Sequence, residues 1–393
     1  MIRLKKIFIN NPLFYDAPFR SFFFLGGLYS LLNGIWLSLH GADLLNNRFA
    51  IDTINFYQHE MIFAIFVPIL AGFLLTVIPY WTKTEKLQSQ SLAKLIYSWF
   101  VARILTGGIH FWGVIPGSGA NAVFLLLVIW YLIKPLADKK QGYLRLYGYQ
   151  FIGFFVVQIL ASIAWFEDQE QLFHQYLQVG IGFCVIMVLM VFGRISTNVL
   201  KQALSQYPTV SAQYHPQPAR RNFAILLIYI YLPVNFYSPE CAYSGWLSLA
   251  CAAALLNILN DWHLPKVWRD SYVFAMYSVY LLMALGFALS GINRVWGARV
   301  DISLIDLQFS SWINLVVMLI LLITGQRLTS HRLQLTPLIR WIICLMFMAV
   351  CSFLISNVMA ELRMILMLLG LGFCTLSLSL WLIYFTPQLQ FKR

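Results

Sequence analysis

The sequence predicts an all-α fold: a polytopic helical membrane protein with about 12 transmembrane helices and both termini in the cytoplasm. Three observations lead there. Apolar windows of about 20 residues, the length that crosses a ~30 Å hydrocarbon core, recur from one end of the 393-residue chain to the other. Only 11% of the residues are charged, where a soluble globular protein has about a quarter. The charges that exist sit in short groups between the windows, and Lys and Arg favour alternate groups.

The windows cover 21–40, 61–81, 94–114, 120–137, 147–166, 176–196, 222–238, 245–262, 271–291, 303–325, 336–356 and 365–385. The basic start Met1-Ile-Arg-Leu-Lys-Lys is not followed by a short apolar region and a small-residue cleavage site, so the stretch from Ser21 is expected to be a retained span. Pro233 interrupts the seventh window, and Asn257 and Asn260 interrupt the eighth. One set of alternate loops, with both chain ends, holds most of the Lys and Arg. It includes Lys83, Lys86, Lys139, Lys140, Lys201, Arg220, Arg221, Lys266 and Arg269, whereas the other set holds only Arg48, Arg294, Arg299 and Arg363. Cytoplasmic loops carry the basic excess, which places both termini inside and asks for an even number of spans. The loops are too short for a soluble domain, so residues 1–393 read as a single integral membrane domain. Its longest loop, Thr197 to Asn222, with Pro208, Pro216, Pro218 and Arg220-Arg221, is the candidate divide between two six-helix halves, 1–200 and 221–393.

Several functional classes drop out. A net charge of +12 invites nucleic acid, but the basic residues are spread over loops and form no single face or arm. Six cysteines, five of them inside apolar runs (Cys184, Cys251, Cys344, Cys351, Cys374) and Cys241 in a loop, make no disulfide framework. No phosphate-cradling loop follows a strand, so an ATP-driven pump is unsupported.

Ionisable groups inside spans are expensive and are the first functional candidates. Arg103 lies nine residues after Lys94, roughly 13 Å along a helix and close to mid-membrane. No Asp or Glu is expected near the centre of any span; Glu60 and Asp306 come nearest, both at outer ends. Arg103 is therefore expected to meet backbone carbonyls, a tyrosine or an amide, or else an anion from outside the chain such as a haem propionate or an anionic substrate. His40, His59, His110 and His174 fall at the outer ends of the first, second, third and sixth windows, a common depth from which imidazoles can converge on a metal or haem iron. The plainer reading is that each is interfacial, as Trp and Tyr are. Spacing singles out two of the four. His110 is seven residues from Arg103, which on a continuous helix puts both on one face with Gly107 and Gly108 between them. His59 is followed by Glu60, which is placed to orient an imidazole or relay protons.

Phe56-Tyr-Gln-His-Glu-Met-Ile-Phe, continued by Ala71-Gly-Phe-Leu-Leu-Thr-Val-Ile-Pro-Tyr-Trp-Thr, resembles the signature of the NnrS family, bacterial membrane proteins associated with nitric oxide metabolism that hold haem and copper. Pro18-Phe-Arg-Ser-Phe-Phe, Arg103, Phe192-Gly-Arg-Ile, Arg221-Asn222 and Tyr384-Phe-Thr-Pro-Gln-Leu are similar to further pieces of that family, in order along nearly the whole chain. The resemblance implies a multi-pass inner-membrane protein with nitric oxide or a related small molecule as partner. It implies His59 and His110 as haem or metal ligands near the outer face, Arg103 as the propionate clamp and Glu60 behind the ligand, with His40 and His174 as further metal candidates. Haem would be b-type, since there is no Cys-x-x-Cys-His for covalent attachment. Tyr57, Tyr277 and Ser310 stand where the family pattern has histidines, and Gly325-Gln-Arg-Leu-Thr-Ser-His-Arg spaces Arg327 and His331 differently; if the lost histidines bind haem or copper in the family, the resemblance implies fewer cofactors in this member, or none. The alternative is a metal-free transporter or sensor in which Arg103 attracts an anionic solute.

Overall fold

The structure is a computed structural model that describes residues 14–41, 53–136, 142, 144–205, 216–262, 267–297, 312–330 and 333–390. Asp306, Ser310 and His331 lie outside the described residues, as do the two chain ends and 206–215 of the longest loop.

The fold is helical, with no strand among the described residues. In chain order the helices are α1 (Pro18–Gly41), α2 (residues 53–82), α3 (Ser89–Gly107), α4 (Ile109–Trp112), α5 (Val114–Leu136), α6 (Arg145–Phe166), α7 (Glu170–Ser205), α8 (Pro218–Tyr237), α9 (Ala242–Leu259), α10 (Ser271–Trp296), α11 (residues 312–330), α12 (Pro337–Val358) and α13 (Arg363–Gln390). Two carry a π-helical insert, Met61–Phe66 in α2 and Ile320–Thr324 in α11. Their ends follow from the sequence. Pro79 lacks an N–H one turn before α2 stops, and Lys83 closes that helix in a left-handed conformation (φ 57°) with its N–H on the Pro79 carbonyl. Thr336 caps α12, whose first residue is Pro337, by accepting the Ile339 N–H at 3.4 Å.

Among the described residues, ten helices are long and apolar enough to cross a membrane: α1, α2, α5, α6, α7, α9, α10, α11, α12 and α13. Helices α3 and α8, which lie on two further apolar windows, fall below that measure. α3 opens Ser-Gln-Ser and carries Lys94 and Arg103, while α8 carries Arg220, Arg221, Asn222 and Asn235.

The third window departs from expectation. A single helix over 94–114 would place His110 two turns above Arg103 on one face, but α3 ends at Gly107, Gly108 turns, and Gly113 (φ 74°) ends the four-residue α4. Glycine is the cause. The Trp112 ring folds back so closely over Gly108 that a Cβ there would sit 2.1 Å from it, while the indole N–H donates to the Leu105 carbonyl at 2.6 Å.

The chain forms two compact units, one of residues 1–183, 327–331 and 378–393, the other of residues 184–326 and 332–377. In the first, α2 is the enclosed element: 94% of its most apolar window is buried within the protein, against 44% for α1, α5 and α6. Helix α2 packs on α1 and α5, and α5 in turn on α3 and α6. Gly72 of α2 permits the close approach of α1, since a Cβ at that position would lie 2.7 Å from Phe22 Cβ. In the second unit α8, α9 and α10 pack in succession, and the Ser248 hydroxyl of α9 donates to the Phe287 carbonyl of α10 at 2.7 Å.

Candidate functional site

The enclosed helix of the first unit delivers the polar cluster. Helix α2 starts at Thr53, eight residues before the apolar window, so His59 and Glu60 are its second turn and lie roughly 10 Å along it. Glu60 is fully buried, and Tyr57, Gln58 and His59 are buried around it. The π insert begins at the next residue, Met61. Its Ala64 carbonyl accepts a hydrogen bond from the Trp99 indole N–H of α3 at 3.3 Å, a tie between the insert and the helix that carries Arg103.

Three helices reach Glu60 and His59 directly, and a fourth, α5, through Arg103. Arg103 Nη1 of α3 donates to Glu60 Oε2, and the Tyr29 hydroxyl of α1 donates to the same oxygen. Arg103 Nη2 donates to Asn121 Oδ1 of α5, and the Asn121 amide N–H donates to Thr106 Oγ1 at 3.1 Å and to the Gly117 carbonyl at 3.0 Å. The guanidinium carbon lies 5.7 Å from the Tyr29 ring centroid and 6.0 Å from that of Trp99. On the other oxygen, Glu60 Oε1 is 3.1 Å from His59 Nδ1, and His59 Nε2 is 3.0 Å from Gln158 Oε1 of α6. Gln158 Nε2 donates to Ser162 Oγ at 3.1 Å, and Phe63 and Trp165 flank the imidazole with ring centroids 5.0 and 5.6 Å away.

This arrangement corrects one expectation directly. Arg103 was expected to have no carboxylate at its depth, yet its countercharge is Glu60, with the two side chains 6% and 0% exposed. The error lies in the start of the second helix: hydropathy places Glu60 at the edge of the apolar window, whereas the helix begins well before it. The tie to an amide, Asn121, was among the options. One donor of the buried guanidinium, Nε, has no hydrogen-bond partner.

The structure brings His59, Glu60 and Arg103 together and does not gather the four histidines into one group. His110 is exposed on α4, beyond the glycine break, while Arg103 is buried, so the two do not share a helix face. His40 is half-buried at the end of α1 against the Trp36 ring, 5.3 Å between centroids. His174 is half-buried on α7, 3.8 Å from Glu170 Oε1. Among the described residues no three His, Cys, Asp or Glu side chains assemble as metal ligands. Tyr57 and Tyr277, at two expected histidine positions, lie respectively beside His59 in the buried turn of α2 and against the Trp268 ring, 4.1 Å between centroids. Tyr29, Asn121, Gln158 and Ser162 are the cluster members that sequence reasoning missed. The available signal was the lone amide inside an apolar helix with a small residue one turn away: Asn121 after Gly117, and Gln158 before Ser162.

The family model described as NnrS protein matches residues 13–393 of the chain. No curated protein and no solved structure matches it.

Proposed function

The chain belongs to the NnrS family, and on that premise we propose that it is a multi-pass protein of the bacterial inner membrane, with twelve spans and both termini cytoplasmic, that acts in nitric oxide metabolism or in resistance to nitrosative stress. The observation that carries the reading is the cluster of buried His59, Glu60, Arg103, Asn121 and Gln158 with half-buried Tyr29 inside apolar helices. Ionised side chains at that depth cost enough that they mark a working site.

Haem or copper would enter through His59, and the donor set around this residue suits that role. An imidazole with one nitrogen held on a carboxylate has its tautomer and orientation fixed, as metal-bound histidines do, and offers the other nitrogen to the metal. Here Nδ1 rests on Glu60, and Nε2 meets Gln158 Oε1, which a metal would displace. Such a group supplies a redox-active metal at which a small nitrogen oxide can bind. Within the chain, Glu60 orients His59, and Arg103 together with the Tyr29 hydroxyl holds Glu60 still. In this reading Arg103, tied to Glu60 and Asn121, positions Glu60 and is not called on to clamp a propionate. His40, His110 and His174 have no part in the proposed site.

Absorption spectra and metal analysis of protein purified from haem-replete cells test this. A Soret band or stoichiometric copper, lost in His59→Ala but retained in His110→Ala, is the expected result. Colourless, metal-free protein would favour the second reading, a transporter or sensor. That reading is supported by the fact that both His59 nitrogens already face partners within the chain. The orientation is tested separately: reporter fusions after Gln141 and Ser205 should read cytoplasmic, and one after Glu170 periplasmic.

A further inference from the structure

The second unit encloses a cavity of about 130 Å³ faced by Gln202 at the end of α7, Asp270 and Tyr272 at the start of α10, and Leu333, Leu335 and Arg340 at the entry to α12. Its wall is fixed in advance. Gln202 Nε2 donates to the Leu333 carbonyl at 2.7 Å. Gln326 accepts the Gln334 N–H on Oε1 at 3.1 Å and donates Nε2 to the Gln334 carbonyl at 3.2 Å, while the Tyr272 hydroxyl donates to the same Oε1 at 3.1 Å.

Two opposite charges face this space without meeting. Neither Asp270 nor Arg340 is in an ion pair among the described residues. Asp270 is oriented by the N-terminus of α10: Oδ1 accepts the N–H groups of Tyr272 at 2.9 Å and Val273 at 3.3 Å, and Oδ2 has no hydrogen-bond partner among the described residues. Burial lifts the Asp270 carboxyl above its ordinary value even though those two amide bonds pull it down, as expected of a carboxylate short of a cation. Arg340, in the first turn of α12, also lines the cavity and is exposed.

Size and charge together define the guest. A cavity of about 150 Å³ takes benzene, with six heavy atoms, and one water needs only roughly 10–15 Å³. A guest of five or six heavy atoms that carries both charges matches the space and satisfies both side chains. We propose that the cavity binds a small α-amino acid zwitterion of glycine or alanine size, its ammonium on Asp270 Oδ2 and its carboxylate on the Arg340 guanidinium. In the orientation proposed above, the site opens to the cytoplasm. It shares no residue with the Glu60 cluster, so either reading can fail alone.

Titration calorimetry on the full chain in nanodiscs tests the site with glycine and L-alanine as probes. Acetate and methylamine, which each carry one of the two charges, and L-phenylalanine, which is too large, serve as controls. Saturable binding of glycine and alanine is expected, with acetate and methylamine weaker by at least about tenfold and no binding of phenylalanine. Asp270→Asn, which keeps a side chain able to cap α10, and Arg340→Gln at an exposed position should each weaken glycine binding by at least about tenfold with an unchanged melting temperature. His59→Ala should leave it unaltered. No saturable binding of glycine or alanine at millimolar concentration, equal binding of acetate or methylamine, or undiminished binding in Arg340→Gln would each overturn the proposal.

Discussion

The two units treat buried polarity in opposite ways. In the first, an ion pair between Glu60 and Arg103 is sealed inside apolar helices and braced by Tyr29, His59 and Asn121. In the second, the fully buried polar contacts pair neutral groups: Tyr231 donates to Asn235 Oδ1 at 3.0 Å, Ser377 to the Ile342 carbonyl at 3.0 Å, and Tyr272 to Gln326 Oε1. Its charged contacts reach towards the surface: Arg294 donates to the Tyr231 hydroxyl at 3.3 Å, and in the ion pair of Arg220 with Asp261, at 2.7 Å, the arginine is 27% exposed. Its charged residues Asp270 and Arg340 stay at helix ends. The backbone device is nevertheless the same in both. The two most enclosed helices, α2 and α11, each contain a π insert, directly after His59-Glu60 in one and directly before Gly325-Gln326 in the other. A π insert alone is therefore compatible with a neutral, structural interior. Charge set beside it is what distinguishes the first unit, because a neutral buried hydrogen bond contributes only about 1 kcal/mol whereas a buried ion pair carries a desolvation cost of several kcal/mol per ion.

The comparison can be broken most sharply at the pair itself. Glu60→Leu leaves Arg103 buried without a countercharge and should cost about 3–5 kcal/mol, and Arg103→Leu should cost a similar amount by stranding Glu60. The double variant Glu60→Leu/Arg103→Leu should recover most of the loss, since a buried pair exchanged for apolar side chains is often close to neutral in stability. Reversible unfolding of the three variants in mixed micelles measures this cycle, and simply additive losses would show that the two charges do not depend on one another. The counterpart in the second unit is Tyr272→Phe. Gln326 Oε1 keeps the Gln334 N–H when the hydroxyl is removed, so the expected loss is about 0.5–1.5 kcal/mol. A loss as large as that of Glu60→Leu would erase the difference between the units.

Hydropathy shows helices well and polar depth poorly, and both are visible in α2 and α3. The apolar run 61–81 located α2, but its first turns, Thr53-Ile-Asn-Phe-Tyr-Gln-His-Glu, are too polar for any apolar window to include. An average over that run therefore puts Glu60 at the surface and leaves Arg103 without its partner. Arg103 itself was legible, because a guanidinium in the middle of an apolar run is conspicuous whatever surrounds it. The His110 placement failed for a different reason: helical spacing is valid only while the helix continues, and Gly107, Gly108 and Gly113 interrupt it. Asn121 and Gln158 were hidden because one amide barely alters the average of a 20-residue window. Each side-chain amide is held by a small residue one turn away, a local pattern that averaging removes.

Glycine substitutions, with the smallest effect expected at Gly372, separate a position that shapes the charged site from a position that faces open space. A Cβ at Gly117 would lie 2.9 Å from Thr106 Oγ1 and 3.0 Å from its Cα, so Gly117→Ala forces α3 and α5 apart where Asn121 bridges them. Overpacking of this kind costs about 1–3 kcal/mol, and the shift would pass through Asn121 to the Arg103 guanidinium. Gly372, in α13 of the second unit, is exposed and has nothing within 4 Å of the same added atom. There the methyl meets no neighbour, and the gain from restricting the unfolded chain and improving helix propensity should raise stability by about 0.4–1 kcal/mol. Melting temperatures of the two alanine variants should therefore move in opposite directions from wild type. Gly117→Ala should also lower the coupling measured between Glu60 and Arg103, whereas Gly372→Ala should leave it unchanged. If both alanines stabilise the protein, α3 and α5 have room to spare at Gly117, and the close fit that holds Asn121 against Arg103 is not what positions that side chain.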